Sequence, residues 1–146
     1  MRYMGLDVGD KTIGVAISDE LGMVATPLTV IRRSTSVKKD IAEIKKLAEA
    51  YQVGVIVVGL PLMLAGTVGV QAEKAKEFVE ALKPHVKVPV ELWDERLTTV
   101  EVERILVEAD QSRENRKAVV DKLAAAVMLQ SYLNRKRREV RNSEQS

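Results

Sequence analysis

The chain has 146 residues, a formal net charge of +2, one histidine and no cysteine. That length matches a single domain able to bury about two-thirds of its unfolded surface. The missing cysteines exclude a disulfide framework and a thiolate metal site, and His85 standing alone excludes any mechanism that needs a histidine pair. No apolar run approaches the roughly 18 residues that span a bilayer, and no charged and apolar leader opens the chain, so the expectation is a cytoplasmic protein without a membrane partner.

Apolar-polar alternation predicts two strands, Arg2 to Val8 and Thr12 to Ser18, joined by a tight turn at Gly9-Asp10-Lys11. A second turn, Asp19-Glu20-Leu21-Gly22, leads to a third strand from about Met23 to Ile31, completing an antiparallel meander. From Val37 to Tyr51 the residues Val37, Ile41, Ile44, Leu47, Ala48 and Tyr51 keep helical spacing, with Lys38, Lys39, Lys45 and Lys46 on the wet side. Val55 to Val58 is a continuous β-branched run stopped by Gly59, as expected of a parallel strand covered on both faces near the sheet centre.

After a loop from Gly59 to Gly69, a second helix buries Ala75, Phe78, Val79 and Leu82 and ends at Pro84. A strand from Val88 to Trp93 follows, and Thr98-Thr99-Val100-Glu101 fits a capping box that starts a third helix with Val102, Ile105, Leu106 and Ala109 inward. A polar break at Asp110 to Asn115 precedes a last helix from about Arg116 to Lys136, with Val120, Leu123, Ala124, Val127 and Ser131 on one stripe. Glu139 to Ser146 lacks periodicity and is expected to be a disordered tail, leaving 1–138 as the domain. The fold class is therefore α/β: a mixed five-stranded sheet in which βαβ units follow the meander, with helices on both faces. Right-handed crossovers put the C-terminal ends of the first, fourth and fifth strands on one rim.

Asp7 is a carboxylate inside an apolar run, costly to bury unless a cation or several donors compensate it. Asp94-Glu95 follows the strand ending at Trp93 and should leave the same rim. Asp121 interrupts the apolar run of the last helix, and Ala124 and Ala125 at i+3 and i+4 let that helix lie close to the sheet. Carboxylates gathered in one crevice repel one another unless a cation sits between them, and oxygen-only ligation suits Mg²⁺ or Mn²⁺. Two such ions about 4 Å apart can activate a water and stabilise the leaving oxygen of a phosphodiester. Asp7, Asp94, Glu95 and Asp121 are thus the catalytic candidates and Asp7, Glu95 and Asp121 the candidate metal ligands, with either member of the 94–95 pair able to ligate. Taken singly, Asp7 also reads as a turn residue, Asp94-Glu95-Arg96 as a strand-end ion pair and Asp121 as a surface acid.

Residues 113 to 141 hold nine Lys or Arg against three Asp or Glu, the signature of a face that meets polyanions, although basic helix ends are also common as solvated tails. Lys11, Arg96, Arg113, Arg116, Lys117, Arg135, Lys136, Arg137 and Arg138 are the candidate nucleic-acid contacts. The five aromatic residues are scattered, so a stacking platform for single-stranded bases is not indicated.

Gly5-Leu6-Asp7-Val8-Gly9 with Ile13-Gly14-Val15-Ala16 and Ser18-Asp19, Val57-Val58-Gly59-Leu60-Pro61-Leu62 with Gly66-Thr67 and Gly69, Trp93-Asp94-Glu95-Arg96-Leu97-Thr98-Thr99, and Val120-Asp121-Lys122-Leu123-Ala124-Ala125 with Leu129-Gln130 resemble, in order, the motifs of the YqgF or RuvX family. That family is the Holliday-junction-resolvase-like branch of the ribonuclease H-like fold. The resemblance covers nearly the whole chain and implies a nuclease whose acids match Asp7, Asp94-Glu95 and Asp121, acting in 5′-end maturation of pre-16S ribosomal RNA. Some members are described as junction resolvases. The chain departs from the family pattern at Lys11-Thr12, where Lys-Arg is frequent, and at Met63-Leu64-Ala65-Gly66, where Asn-x-Asp-Gly is frequent, so substrate contacts of that loop could differ.

Two other classes are consistent with parts of the sequence. The Asp-x-Gly hairpin resembles the first phosphate motif of actin-like and sugar-kinase ATPases, which need a second similar domain that a 146-residue chain without repeats lacks. A non-catalytic nucleic-acid-binding module would keep the basic face but would not need all the acids. A monomer suffices for trimming an RNA end, whereas paired cuts in a four-way junction favour a homodimer.

Overall fold

The protein is described by a computed structural model over residues 1–59, 68–93 and 113–145, with side chains over 1–59, 73–93 and 123–141. The tight turn at Gly9-Asp10-Lys11 joins β1 (Arg2–Val8) and β2 (Thr12–Ser18) into an antiparallel hairpin, and β3 (Ala25–Arg32) pairs antiparallel with the far side of β2. The third strand starts two residues later than the pattern suggested. The Asp19 carboxylate holds the amides of Met23 and Val24 at 2.7 and 3.1 Å, which keeps them in the turn. Those same bonds draw the Asp19 carboxyl below its usual pKa.

Two parallel strands, β4 (Val53–Gly59) and β5 (Val90–Trp93), complete the sheet in the order β3-β2-β1-β4-β5. The β-branched run of β4 lies between β1 and β5, with Ile56 and Val58 on one face and Val55 and Val57 on the other, all buried. Burial on both faces explains why its sequence is continuous rather than alternating.

One face carries α1 (Val37–Ala50) and α2 (Val68–Leu82), which bury Ile41, Ile44, Ala48, Phe78, Val79 and Leu82 against Met4, Leu6, Val8, Ile56 and Val58. Pro84 ends α2 in a short 3-10 turn, Lys83–His85. The other face carries one long helix, α3 (Arg113–Gln145), on Ala16, Val55 and Val57. Helices on both faces of a mixed five-stranded sheet are what the sequence predicted.

Three details of α3 depart from expectation. The helix starts at Arg113, inside the supposed polar break, and it continues through 139–145, where a disordered tail was expected. No Gly or Pro interrupts that end, and Arg135 and Glu139 form an i,i+4 ion pair at 3.6 Å. The buried stripe is also shifted: Ala125, Met128, Leu129, Tyr132 and Leu133 face the sheet, whereas Leu123, Ala124, Val127 and Ser131 are only half-buried. The expected third helix over 98–109 lies outside the described residues. No helix among the described residues is long and apolar enough to cross a membrane.

Candidate active site

Alternation along β1 sends Met4, Leu6 and Val8 into the core under α1 and α2, and so gives Tyr3, Gly5 and Asp7 to the face covered by α3. Asp7 is half-buried near the strand end. Its cross-strand partners are Gly14 on β2 and Gly59 on β4, and Gly59 in turn pairs with Trp93 on β5. Neither neighbour carries a side chain, and on the Gly59 side Met128 of α3 fills the space instead: a Cβ on Gly59 would lie 2.7 Å from its Cγ. Trp93 is at the Asp7 level of the sheet, so the position from which Asp94 and Glu95 follow in sequence is on the predicted rim. Asp94, Glu95 and Arg96 themselves lie outside the described residues, and among the described residues no group of three acids forms a metal cluster.

The β1–β2 turn beside Asp7 is tied down by a network the sequence reading missed. Gly9 donates its amide to the Thr12 carbonyl at 2.8 Å. Arg33 donates from Nη1 to the Gly9 carbonyl at 3.0 Å and from its backbone amide to the Lys11 carbonyl at 2.9 Å. Its Nε is 3.2 Å from Asp40, and its guanidinium sits 5.4 Å over the Phe78 ring. The Asp40 side chain is only 3% exposed and also accepts from the Ser34 amide at 2.9 Å and hydroxyl at 3.1 Å. An acid in the first turn of a lysine-rich amphipathic helix reads as a solvated dipole partner. The available signal was Arg33-Ser34 a few residues upstream, which supplies the donors that make its burial tolerable. Lys74 of α2 adds an ion pair to Asp10 at 3.0 Å, and Lys11 stands exposed on the same turn.

Contacts along α3 set its direction against β1. Tyr132 packs beside Tyr3, with ring centroids 5.8 Å apart. A Cβ on Gly5 would lie 2.9 Å from Leu129 Cβ and 3.2 Å from the Ala125 carbonyl, so the helix crosses that strand in near contact. Gln130 fixes the position sideways: its side-chain oxygen accepts from the Ala25 amide at 2.8 Å and its nitrogen donates to the Met23 carbonyl at 2.9 Å. The helix therefore runs antiparallel to β1, and Asp121 lies one turn before Ala125 in sequence. One helical turn is about 5.4 Å and two strand residues span about 6.6 Å, so the backbone at Asp121 reaches the Asp7 end of the sheet. Gly5→Ala should push α3 outward, with an expected loss of about 1–3 kcal/mol in urea unfolding and a fall in activity larger than the stability loss explains. Wild-type behaviour of Gly5→Ala would show that the close approach is not needed.

The candidate cations divide into two groups. Arg113, Arg116 and Lys117 occupy the first turns of α3, about 6–12 Å before Asp121 along the axis and on the Asp7 side. Arg135, Lys136, Arg137 and Arg138 lie about 21–26 Å beyond it, past the Tyr3 end of β1. Arg96 lies outside the described residues.

A family model described as RuvX, Holliday junction resolvase, matches residues 1–135. The chain belongs to the RuvX family. Among its relatives, a protein of Thermoanaerobacter pseudethanolicus is 58% identical over 135 residues, covering 92% of this chain and 96% of that one. A protein of Clostridium acetobutylicum is 53% identical over 134 residues, covering 92% and 98%. Both are described as candidate pre-16S rRNA nucleases. Among solved structures, the Thermus thermophilus RuvC complex with a Holliday junction superposes with a TM-score of 0.54 at 16% identity, covering 93% of this chain and 96% of that one. The fowlpox virus resolvase complex with junction DNA gives 0.50 at 11% identity, covering 92% and 97%. At those identities the likeness is one of fold, and it gives this RuvX-family chain the ribonuclease H-like architecture that the sequence motifs implied.

Proposed function

We infer that this RuvX-family chain is a divalent-metal-dependent phosphodiesterase of the cytoplasm that hydrolyses nucleic acid, with the 5′ leader of pre-16S ribosomal RNA as its substrate. The observation that carries the reading is the placement of Asp7. It stands on the α3 face, paired across the sheet with Gly14 and Gly59, near the level that the backbone of α3 reaches at Asp121 and where β5 ends one residue before Asp94. The donor chemistry fits a hard cation, since the candidates are carboxylates and the chain has no thiol and one histidine. Asp7, Glu95 and Asp121 would hold Mg²⁺ or Mn²⁺, with Asp94 as the alternative ligand of its pair. The bound metal supplies water activation and stabilisation of the leaving oxygen.

The chain's own residues do the rest. Arg33 and Asp40 hold the turn that follows Asp7, and Lys11, Arg96, Arg113, Arg116 and Lys117 provide cations for the phosphates on either side of the cut. A monomer is sufficient for this reaction.

A second reading, resolution of four-way DNA junctions, is favoured by the description of the family model and would require a homodimer for paired cuts. The deciding experiment compares cleavage of a labelled pre-16S leader and a four-way DNA junction by one preparation, with Mg²⁺, with Mn²⁺ and in chelator. Metal-dependent cutting of the leader at defined positions is expected. Preferential symmetric cutting of the junction would establish the second reading, and binding without cleavage under every condition would leave a nucleic-acid-binding module.

A further inference from the structure

The far end of α3 differs from an ordinary solvated helix end. Three aromatic residues that are distant in sequence meet there: Tyr132 packs against Tyr3 at 5.8 Å and edge-on to Trp93 at 5.5 Å, and its hydroxyl donates to Glu91. Lys136 places its ammonium 6.0 Å over the Tyr3 ring and 5.6 Å over Tyr132, and Arg135 lies 6.0 Å over Trp93. These contacts orient cations that would otherwise sample many rotamers.

Two of the grooves along this part of the helix are lined by members of the aromatic cluster. One, of about 560 Å³ beside β5, contains the carboxylates of Glu91 and Glu139, which disfavour a polyanion. The other, of about 450 Å³, lies between α3 and the β2–β3 turn. Its walls are Tyr3, Leu21 and Leu133, and Lys136, Arg137 and Arg141 stand at its mouth. Among the described residues no carboxylate lines it, and the neighbouring Glu20 is ion-paired with Arg2 at 3.7 Å. Leu21 is 79% exposed, an apolar side chain left beside a row of cations. Apolar walls under a cationic mouth suit a single-stranded nucleic acid, with bases against the walls and phosphates at the mouth.

We propose that this groove is a second nucleic-acid site, which holds the single-stranded flank of an RNA whose scissile phosphate lies at Asp7. The proposal rests on the nuclease reading above and adds a minimum substrate length to it. Asp121 and Lys136 are fifteen residues apart on one helix, about 22 Å. At a stacked spacing of 3.4 Å per nucleotide, about six or seven nucleotides bridge the two sites, and fewer if the strand is extended. RNAs with shorter flanks reach the Asp7 end only.

The test measures affinity by fluorescence anisotropy in the Asp7→Asn background, so that no strand is cut, for RNAs carrying flanks of three and of ten nucleotides on either side of the cleavage position. The longer flank on one side should tighten binding by about tenfold or more. Lys136→Gln/Arg137→Gln/Arg141→Gln should abolish that gain and lower the log-log salt slope on the long RNA by about 2, at about 0.7 per contact on a single strand. Leu21→Glu, on the opposite wall and off the helix, should abolish the same gain, which separates a lost groove from a damaged α3. A gain that survives in both variants would overturn the proposal, as would equal weakening on short and long RNAs. Retained length dependence together with lost binding of the triple variant to assembling small-subunit particles would assign the groove to a protein partner instead. The measurement needs no cleavage: an inactive wild type would refute the nuclease reading with the length dependence untouched, and an active wild type without length dependence would refute this proposal alone.

Discussion

Asp7→Asn is expected to lower cleavage by about a thousandfold or more while the protein stays folded and binds RNA nearly as well as wild type. The substitution removes a metal-ligating charge and almost no volume. A bound divalent ion contributes several kcal/mol to the transition state, and each 1.36 kcal/mol is about a factor of ten in rate. Its cross-strand neighbours Gly14 and Gly59 offer no side chain that could take over as ligand. Nucleic-acid binding comes from cations elsewhere and should persist in chelator. Asp121→Asn should behave alike, with a gain of stability at low metal, because like-charged carboxylates repel when no cation separates them. The measurement is single-turnover cleavage beside anisotropy binding and a urea melt of each variant. Full activity in folded Asp7→Asn would refute the metal-site assignment, and a wild-type rate for Asp121→Asn would make Asp121 a surface residue.

The largest stability effect is expected at Asp40. Removing one partner of a buried ion pair leaves the other charge uncompensated and costs about 3–5 kcal/mol. With the Asp40 side chain 3% and the Arg33 side chain 20% exposed, water relieves only part of that cost. Asp40→Ala also strands the Ser34 amide and hydroxyl, so the upper part of the range applies. The double variant Arg33→Met/Asp40→Leu should be markedly less destabilised than Asp40→Ala, because no charge is then left in the core. It should still lose activity, since the Gly9 carbonyl no longer receives the guanidinium that ties the turn after Asp7 to β3. Urea midpoints for the two proteins check the first claim and cleavage rates the second. A wild-type midpoint for Asp40→Ala would show that the pair contributes nothing to folding.

The sequence by itself determined the elements whose burial follows a single period. α1 shows Ile41, Ile44 and Ala48 at helical spacing and α2 shows Ala75, Phe78, Val79 and Leu82, because each helix faces one apolar layer and water on its other side, and the turn residues Gly9-Asp10-Lys11 marked the hairpin of β1 and β2. The uninterrupted Val55–Val58 run likewise announced a strand covered on both faces. The motif order was enough for the family, and Asp7, Asp94-Glu95 and Asp121 stood out as candidates, since carboxylates in apolar or rim positions need a reason.

Only the tertiary structure decided the face of α3. Residues 118–129 are apolar nearly all round, so no period distinguishes the stripe through Ala125 and Leu129 from the one through Ala124 and Val127. The choice falls to the close approach at Gly5 and to the Gln130 bonds with Met23 and Ala25, contacts between distant parts of the chain. The same holds for Asp40, whose burial depends on Arg33 arriving from β3, and for Tyr3, Trp93 and Tyr132, scattered in sequence and adjacent in space. The basic segment from Arg113 to Arg141 is one run in sequence. A helix rises about 1.5 Å per residue and α3 runs antiparallel to β1, so the run's two ends lie toward opposite ends of that strand, and only the N-terminal one is toward Asp7.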